Sequence, residues 1–173
     1  MMTDILEKLE GGDRRSIGRA NEVVEDVLRD STLFGAVFKG ILSDDALIRM
    51  RAADAAEKIT AQHPELLEPH KVALIGRVAA IDQQEVRWHV AQMVPRLALS
   101  EEERRLVAKI LLGYLEDKSR IVQVSAMQAL VDLAQDDEDL RPRVFEAVRK
   151  LTETGSAAVR SRGRRLLDQL LSD

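Results

Sequence analysis

Apolar residues recur along this chain at steps of three and four, in blocks separated by short polar turns. The clearest blocks are Leu33, Phe34, Val37, Phe38, Ile41 and Leu42; Leu67, Val72, Ile75, Val78 and Ile81; Leu106, Val107, Ile110, Leu111, Tyr114 and Leu115; and Leu140, Val144, Phe145, Val148 and Leu151. Such steps stack side chains on one face of a helix, so each block predicts an amphipathic helix. Ile5 to Leu9 predicts a shorter one. Pro69 and Pro142 stand near two of the starts, where a missing N–H leaves no bond broken. Ser100 with Glu103 predicts a capping box at the start of a third.

A second kind of segment alternates with these blocks. It opens with an Asp, or with Gly155 in the last copy, and places a β-branched residue four positions on: Asp13 with Ile17, Asp44 with Ile48, Asp82 with Val86, Asp117 with Ile121, and Gly155 with Val159. The branched residues lie 31, 38, 35 and 38 apart, a length that suits two helices and two short turns. Small or apolar residues follow at five, eight and eleven places: Ala53, Ala56 and Ile59, then Ala91, Val94 and Leu97. Later copies keep the pattern with misfits at Asp132 and Arg164, and the first replaces it with Ala20, Val23, Val27 and Leu28. The Asp suits an N-cap, where its carboxylate accepts from an orphan N–H at the positive helix end. Asp82 with Glu85 predicts a further capping box. Pro95, inside its predicted helix, should remove a hydrogen bond and bend the rod.

These elements pair into about five hairpins, near 3–30, 31–62, 64–99, 100–135 and 137–173, forming one all-α repeat domain over 1–173. The run from Asp44 to Ile59 resembles the second half of a HEAT repeat: a turn Asp, then Ile-Arg, then two Ala, then an apolar residue. Asp82 to Leu97 is similar, later segments keep parts of the pattern, and the first keeps only the turn. The resemblance implies a right-handed α-α superhelix with the second helices lining a concave face. It also implies that Arg49, Arg87 and Arg160, one place after the branched residue, pair with turn Asp residues in the seam between repeats. It is nearly silent on activity, since one architecture hosts many functions.

With the branched residue at zero, the apolar places fall within about 140° of helix circumference. Places two and six residues on point outward. They hold Met50, Trp88 and Gln123, then Asp54, Gln92 and Met127; Arg51, His89 and Arg162 stand at the rim. Met50, Arg51, Trp88, His89, Gln92, Gln123 and Met127 are therefore the candidate binding residues. Trp88, the single tryptophan, is the natural anchor if it is exposed; packing against a neighbouring helix is the alternative.

Composition supports this picture and narrows it. Of 173 residues, 45% are hydrophobic and 32% charged, too apolar for a disordered chain and too charged for a membrane protein. There is no cysteine, which excludes disulfides and thiolate metal sites. The start carries no signal-peptide pattern and no apolar run is long enough to span a bilayer, so a cytoplasmic location is expected. His63, His70 and His89 make no metal-binding pair, and Gly11-Gly12 lacks the Lys-Ser/Thr of a phosphate loop. No metal, cofactor or catalytic residue is predicted.

A net charge of −4 repels a phosphate backbone on average. Arg160, Arg162, Arg164 and Arg165 are a local exception, read as the polar surface of a capping repeat. The leading expectation is a non-catalytic protein-binding scaffold or adaptor. The alternative is a nucleic-acid-binding or HEAT-like DNA glycosylase module, for which Asp54 is the one acid at a central position. A second alternative is a chromophore-lyase-like HEAT protein.

Overall fold

The computed structural model describes residues 4–172. The fold is all-α, with no strand among the described residues. The chain divides into two compact units, Met1–Leu97 and Ala98–Asp173. No helix among the described residues is long and apolar enough to cross a membrane.

In the first unit a 3-10 helix, Ile5–Leu9, packs on α1 (Ala20–Arg29). A 3-10 turn, Ser31–Leu33, leads into α2 (Phe34–Gly40), which packs on α3 (Ala46–Gln62). A 3-10 helix, Pro64–His70, one helical turn α4 (Lys71–Ala73) and a π-helical turn, Leu74–Val78, then precede α5 (Gln84–Met93). The second unit holds α6 (Glu101–Tyr114) packed on α7 (Arg120–Ala134), and α8 (Arg141–Thr154) packed on α9 (Ala157–Ser172). Successive second helices lie side by side: α3 touches both α1 and α5, and α7 touches α9. Ala52, Ala53, Ala55 and Ala56 make this possible in α3. All four are buried, and their small side chains let helices approach on several sides at once.

The starts of α3, α5, α7 and α9 are one or two residues from their predicted places, whereas Asp13 caps no helix: its carboxylate accepts from the Arg15 N–H at 2.9 Å, and α1 begins only at Ala20. Asp45, not Asp44, caps α3, its carboxylate accepting from the Leu47 N–H at 2.7 Å. Ser119 caps α7, and Asp117 accepts from the Ser119 N–H at 2.8 Å to set up that cap. Gln83 precedes α5 without a side-chain cap, so the predicted Asp82–Glu85 box is absent; Asp82 faces Arg87 instead, at 3.1 Å. The Ser100–Glu103 box is present. The common feature is a branched residue three places after the N-cap: Ile48, Val86, Val122 and Val159. Ile121 is therefore not the equivalent residue in the fourth hairpin. It is 55% exposed, whereas Val122 is buried. Ile17 precedes α1 and is also exposed.

Two predicted helices differ in form. Pro95 does not bend a rod: α5 stops at Met93, and Val94–Arg96 is a 3-10 turn, as expected where proline withholds its N–H. The block from Leu67 to Ile81 is broken by Pro69 and by the π turn, in which the Ala79 N–H reaches Leu74 O at 3.1 Å. The extra residue in that turn rotates the face, so Val72 is 81% exposed while Leu67, Leu74 and Val78 are buried.

Candidate functional site

The seven candidate residues sit on α3, α5 and α7, but only some face outward. Met50 is the fifth residue of α3 and Trp88 the fifth of α5, and both are half-buried. Gln92 is exposed. Arg51 and Met127 are fully buried and His89 is 8% exposed. The register of α7 explains Met127: with Ser119 as cap, the counterpart of Gln92 is Gln128, and Met127 turns into the core. Likewise Val124, not Gln123, is the counterpart of Trp88.

Arg51 is an interior clasp. Its Nη1 donates to Leu9 O at 2.8 Å, Glu10 O at 3.3 Å and Gly11 O at 2.6 Å. Its Nη2 donates to Asp13 O at 3.2 Å and its Nε to Ser16 O at 3.1 Å. These carbonyls belong to the loop between the first 3-10 helix and α1, so α3 holds that loop through one guanidinium. Gly18, at φ +57°, makes room: a Cβ there would lie 2.8 Å from Arg51 Cζ.

The residues one place after the branched position clasp turns in the same manner. Arg49 donates to Ser43 O and Asp44 O in the turn before its own helix, at 2.8 and 3.1 Å, and to Gln83 Oε1 of the next hairpin at 2.8 Å. Arg87 donates to Ile81 O at 3.2 Å, beside its ion pair with Asp82. Gln123 donates to Leu115 O at 3.2 Å. Arg49 thus clasps its own hairpin's turn and also reaches Gln83 of the next hairpin, and Arg87 clasps its own turn through Ile81 O and Asp82. Arg160 is exposed and makes no such bond among the described residues.

Around Trp88 the side chains form a connected polar cluster. The indole Nε1–H donates to His89 Nε2 at 2.9 Å. Indole nitrogen can only donate, so Nε2 carries no proton and Nδ1 does. That Nδ1–H reaches Gln92 Oε1 at 2.8 Å. Asp54 Oδ1 of α3 lies 3.9 Å from His89 Nε2, while its Oδ2 accepts from Lys58 Nζ at 2.8 Å. Lys58 also donates to Asn21 Oδ1 of α1 at 3.1 Å. Arg96, after α5, bonds Glu57 O at 2.8 Å, Thr60 Oγ1 at 2.9 Å and the Glu57 carboxylate. Burial holds His89 below the usual imidazole pKa, opposed by the Gln92 hydrogen bond and by the Asp54 and Glu57 charges. The imidazole is neutral, with both nitrogens occupied. No hydroxyl nucleophile is bonded to it: Thr60 Oγ1 donates instead to Ala56 O at 2.8 Å. The cluster therefore fixes the orientation of an aromatic ring.

Among the described residues no three His, Asp or Glu side chains converge as metal ligands. His63 is exposed beside Glu65, and His70 stacks on Phe38 with ring centroids 4.4 Å apart.

No family model matches the chain, and no curated protein matches it. Among solved structures it is similar to the crystal structure of an engineered protein, a target of the Northeast Structural Genomics Consortium. The TM-score is 0.66 at 17% identity, over 97% of this chain and 78% of the other. At that identity the likeness shows the fold alone.

Sequence reasoning reached Trp88, His89, Gln92 and Asp54 through their shared helix face. It missed Lys58, Asn21 and the Arg96–Glu57–Thr60 staple, which join residues 36 to 39 apart. Lys58 four places after Asp54 was the one legible signal, as an i, i+4 pair. Nothing local marks Arg96 as a partner of α3.

Proposed function

We propose that this chain is a HEAT-like array of helical hairpins that binds another protein without catalysis, through the face of the second helices centred on Trp88. Side-by-side second helices, with a branched residue at a fixed distance from each cap, support the repeat assignment. One observation carries the binding site: the single tryptophan is partly exposed while its N–H is already bonded to buried His89. An aromatic ring held in place before contact loses little freedom on binding, and tryptophan is enriched among the residues that dominate interfaces. Met50, at the same place on α3, extends the apolar contact, and Gln92 lies at the polar edge.

The test is recovery of partners from nuclease-treated native extract, followed by affinity measurement with the protein recovered. Trp88→Ala should weaken binding by about 2 kcal/mol, or about 30-fold, and Trp88→Phe by less. Equal affinity of Trp88→Ala and wild type, with the helical circular dichroism unchanged, removes Trp88 from the site. Recovery of nuclease-sensitive material alone would overturn the protein-binding reading.

A further inference from the structure

Several arginines on other helices meet a carboxylate one turn away, among them Arg29 with Glu25, Arg105 with Glu101, and Arg149 with Glu146. Arg160, Arg162, Arg164 and Arg165 of α9 are exposed and make no ion pair among the described residues. Two of them begin a stripe. Arg160, Arg164, Leu167 and Leu171 follow at steps of four, three and four, which align on one side of a helix. Leu167 is half-buried and Leu171 is 72% exposed. This side of α9 is basic at its start and apolar at its end, about 16 Å further along at 1.5 Å per residue.

A surface of the opposite character lies in the same unit. α6 and α8 border an open groove with two lobes that share Arg143. The lobe at the helix starts, about 610 Å³, is lined by the α7–α8 turn, Asp136-Asp137-Glu138-Asp139, and by three arginines, of which Arg104 pairs with Asp137 and Arg105 with Glu101, so that carboxylates stay in excess over Arg143. Asp136, Glu138 and Asp139 are exposed and make no ion pair among the described residues. The lobe at the helix ends, about 560 Å³, carries Leu112, Leu115, Ala147 and Leu151 among polar side chains that include Glu116 and Lys150. Leu151 lies eleven positions after Leu140, the N-cap of α8, so the groove passes from its acidic turn to its leucines over the same distance of about 16 Å. The stripe on α9 is exposed, so it does not occupy the groove of its own chain.

We propose that the α9 stripe of one copy seats in the α6–α8 groove of a second copy. It lies parallel to both helices, Arg160 and Arg164 against the acidic turn, Leu167 and Leu171 against Leu112, Leu115 and Leu151. This is a helix-in-groove contact in which charge sets the direction and leucine supplies the burial. Donor and acceptor surfaces differ, so the contact is heterologous and adds copies head to tail. It uses none of the Trp88 cluster and stands apart from the protein-binding proposal.

Sedimentation velocity of the 173-residue chain, from micromolar to near-millimolar concentration, reads the association directly. Wild type should associate, more weakly as salt rises. Arg164→Glu/Leu171→Glu disables the stripe and Glu138→Lys/Asp139→Lys disables the turn. All four positions are exposed, and circular dichroism confirms that each variant folds. Each variant alone should be at least tenfold weaker in association. An equimolar mixture should form a one-to-one dimer and nothing larger, because one variant keeps the groove and the other keeps the stripe. A wild type that stays monomeric throughout, association that survives either variant, or a mixture that stays monomeric would each overturn the proposal. Oligonucleotide binding lost with Arg164→Glu in a monomeric wild type would overturn it in favour of phosphate recognition by α9.

Discussion

A guanidinium closed off from water needs acceptors for its donors, and at Arg51 the main chain supplies all five of its bonds. Removing the side chain strands the buried Leu9 carbonyl and unties the loop residues Glu10, Gly11, Asp13 and Ser16, and a stranded buried polar group costs more than its bond contributes. Arg51→Met should lower unfolding stability by about 3 kcal/mol or more. Arg51→Lys should recover little, since a point ammonium cannot span acceptors set for a planar fork. Urea denaturation measures both; a loss within the range of ordinary surface substitutions would show that the loop holds without the clasp. His89 and His70 add acid sensitivity. Burial lowers both imidazole pKa values in the folded chain. The unfolded chain then takes up protons first, so the stability these groups contribute is intact above about pH 6.5 and declines as pH falls toward the folded values. Protonation of His89 also ends its acceptance of the Trp88 N–H. Trp88 fluorescence should therefore change as pH falls below about 6.5 toward the lowered folded value of His89. His89→Gln should remove that change, and its persistence in the variant would assign it elsewhere.

Among the elements, α8 and α9 approach most closely at Gly163. A Cβ there would stand 1.9 Å from Thr152 Oγ1 and 2.9 Å from Thr152 Cβ. Thr152 cannot simply swing away, because its hydroxyl donates to Val148 O at 2.6 Å. Gly163→Ala raises helix propensity yet should destabilise by about 1–3 kcal/mol through overpacking. Pairing it with Thr152→Ala should recover part of the loss, because the hydroxyl that the new Cβ would meet at 1.9 Å is removed. Thermal unfolding of the single and double variants decides this, and a stabilising Gly163→Ala would mean the helices can part at little cost. The same elements show what was legible. The apolar period predicted α6 and α8, and Ser100 predicted a cap, because those signals are local. The fourth hairpin was read one residue out, since Asp117 matched the turn pattern while Ser119 does the capping. A shift of one residue is 100° on a helix, enough to exchange Met127 for Gln128 and Ile121 for Val122. At the site, Trp88, His89 and Gln92 lie within one helix and could be grouped from spacing. The burial of Arg51 could not, because its partners are backbone carbonyls, which no side-chain pattern announces.

Across the whole molecule, each unit buries its own set of side chains: Phe34, Phe38, Ile41 and Ile59 in the first, Leu111, Leu130, Val144 and Val148 in the second. In stacked hairpins stability is close to a sum of local terms and nearest-neighbour contacts, so a lesion in one place need not open the rest. Arg51→Met makes this measurable, because all five acceptors of Arg51 lie between residues 9 and 16. Amide hydrogen exchange in the variant should speed up in α1, α2 and α3, while α8 and α9 keep the protection they have in wild type. Equal loss of protection from α1 through α9 would mean that the chain opens as one cooperative body. A graded loss that fades with distance along the chain would match hairpins that each depend on the next. The outcome also governs how the Trp88 and α9 variants are read. If the units open separately, a substitution on α9 can change association without disturbing the Trp88 cluster, and the two surfaces can be dissected one at a time.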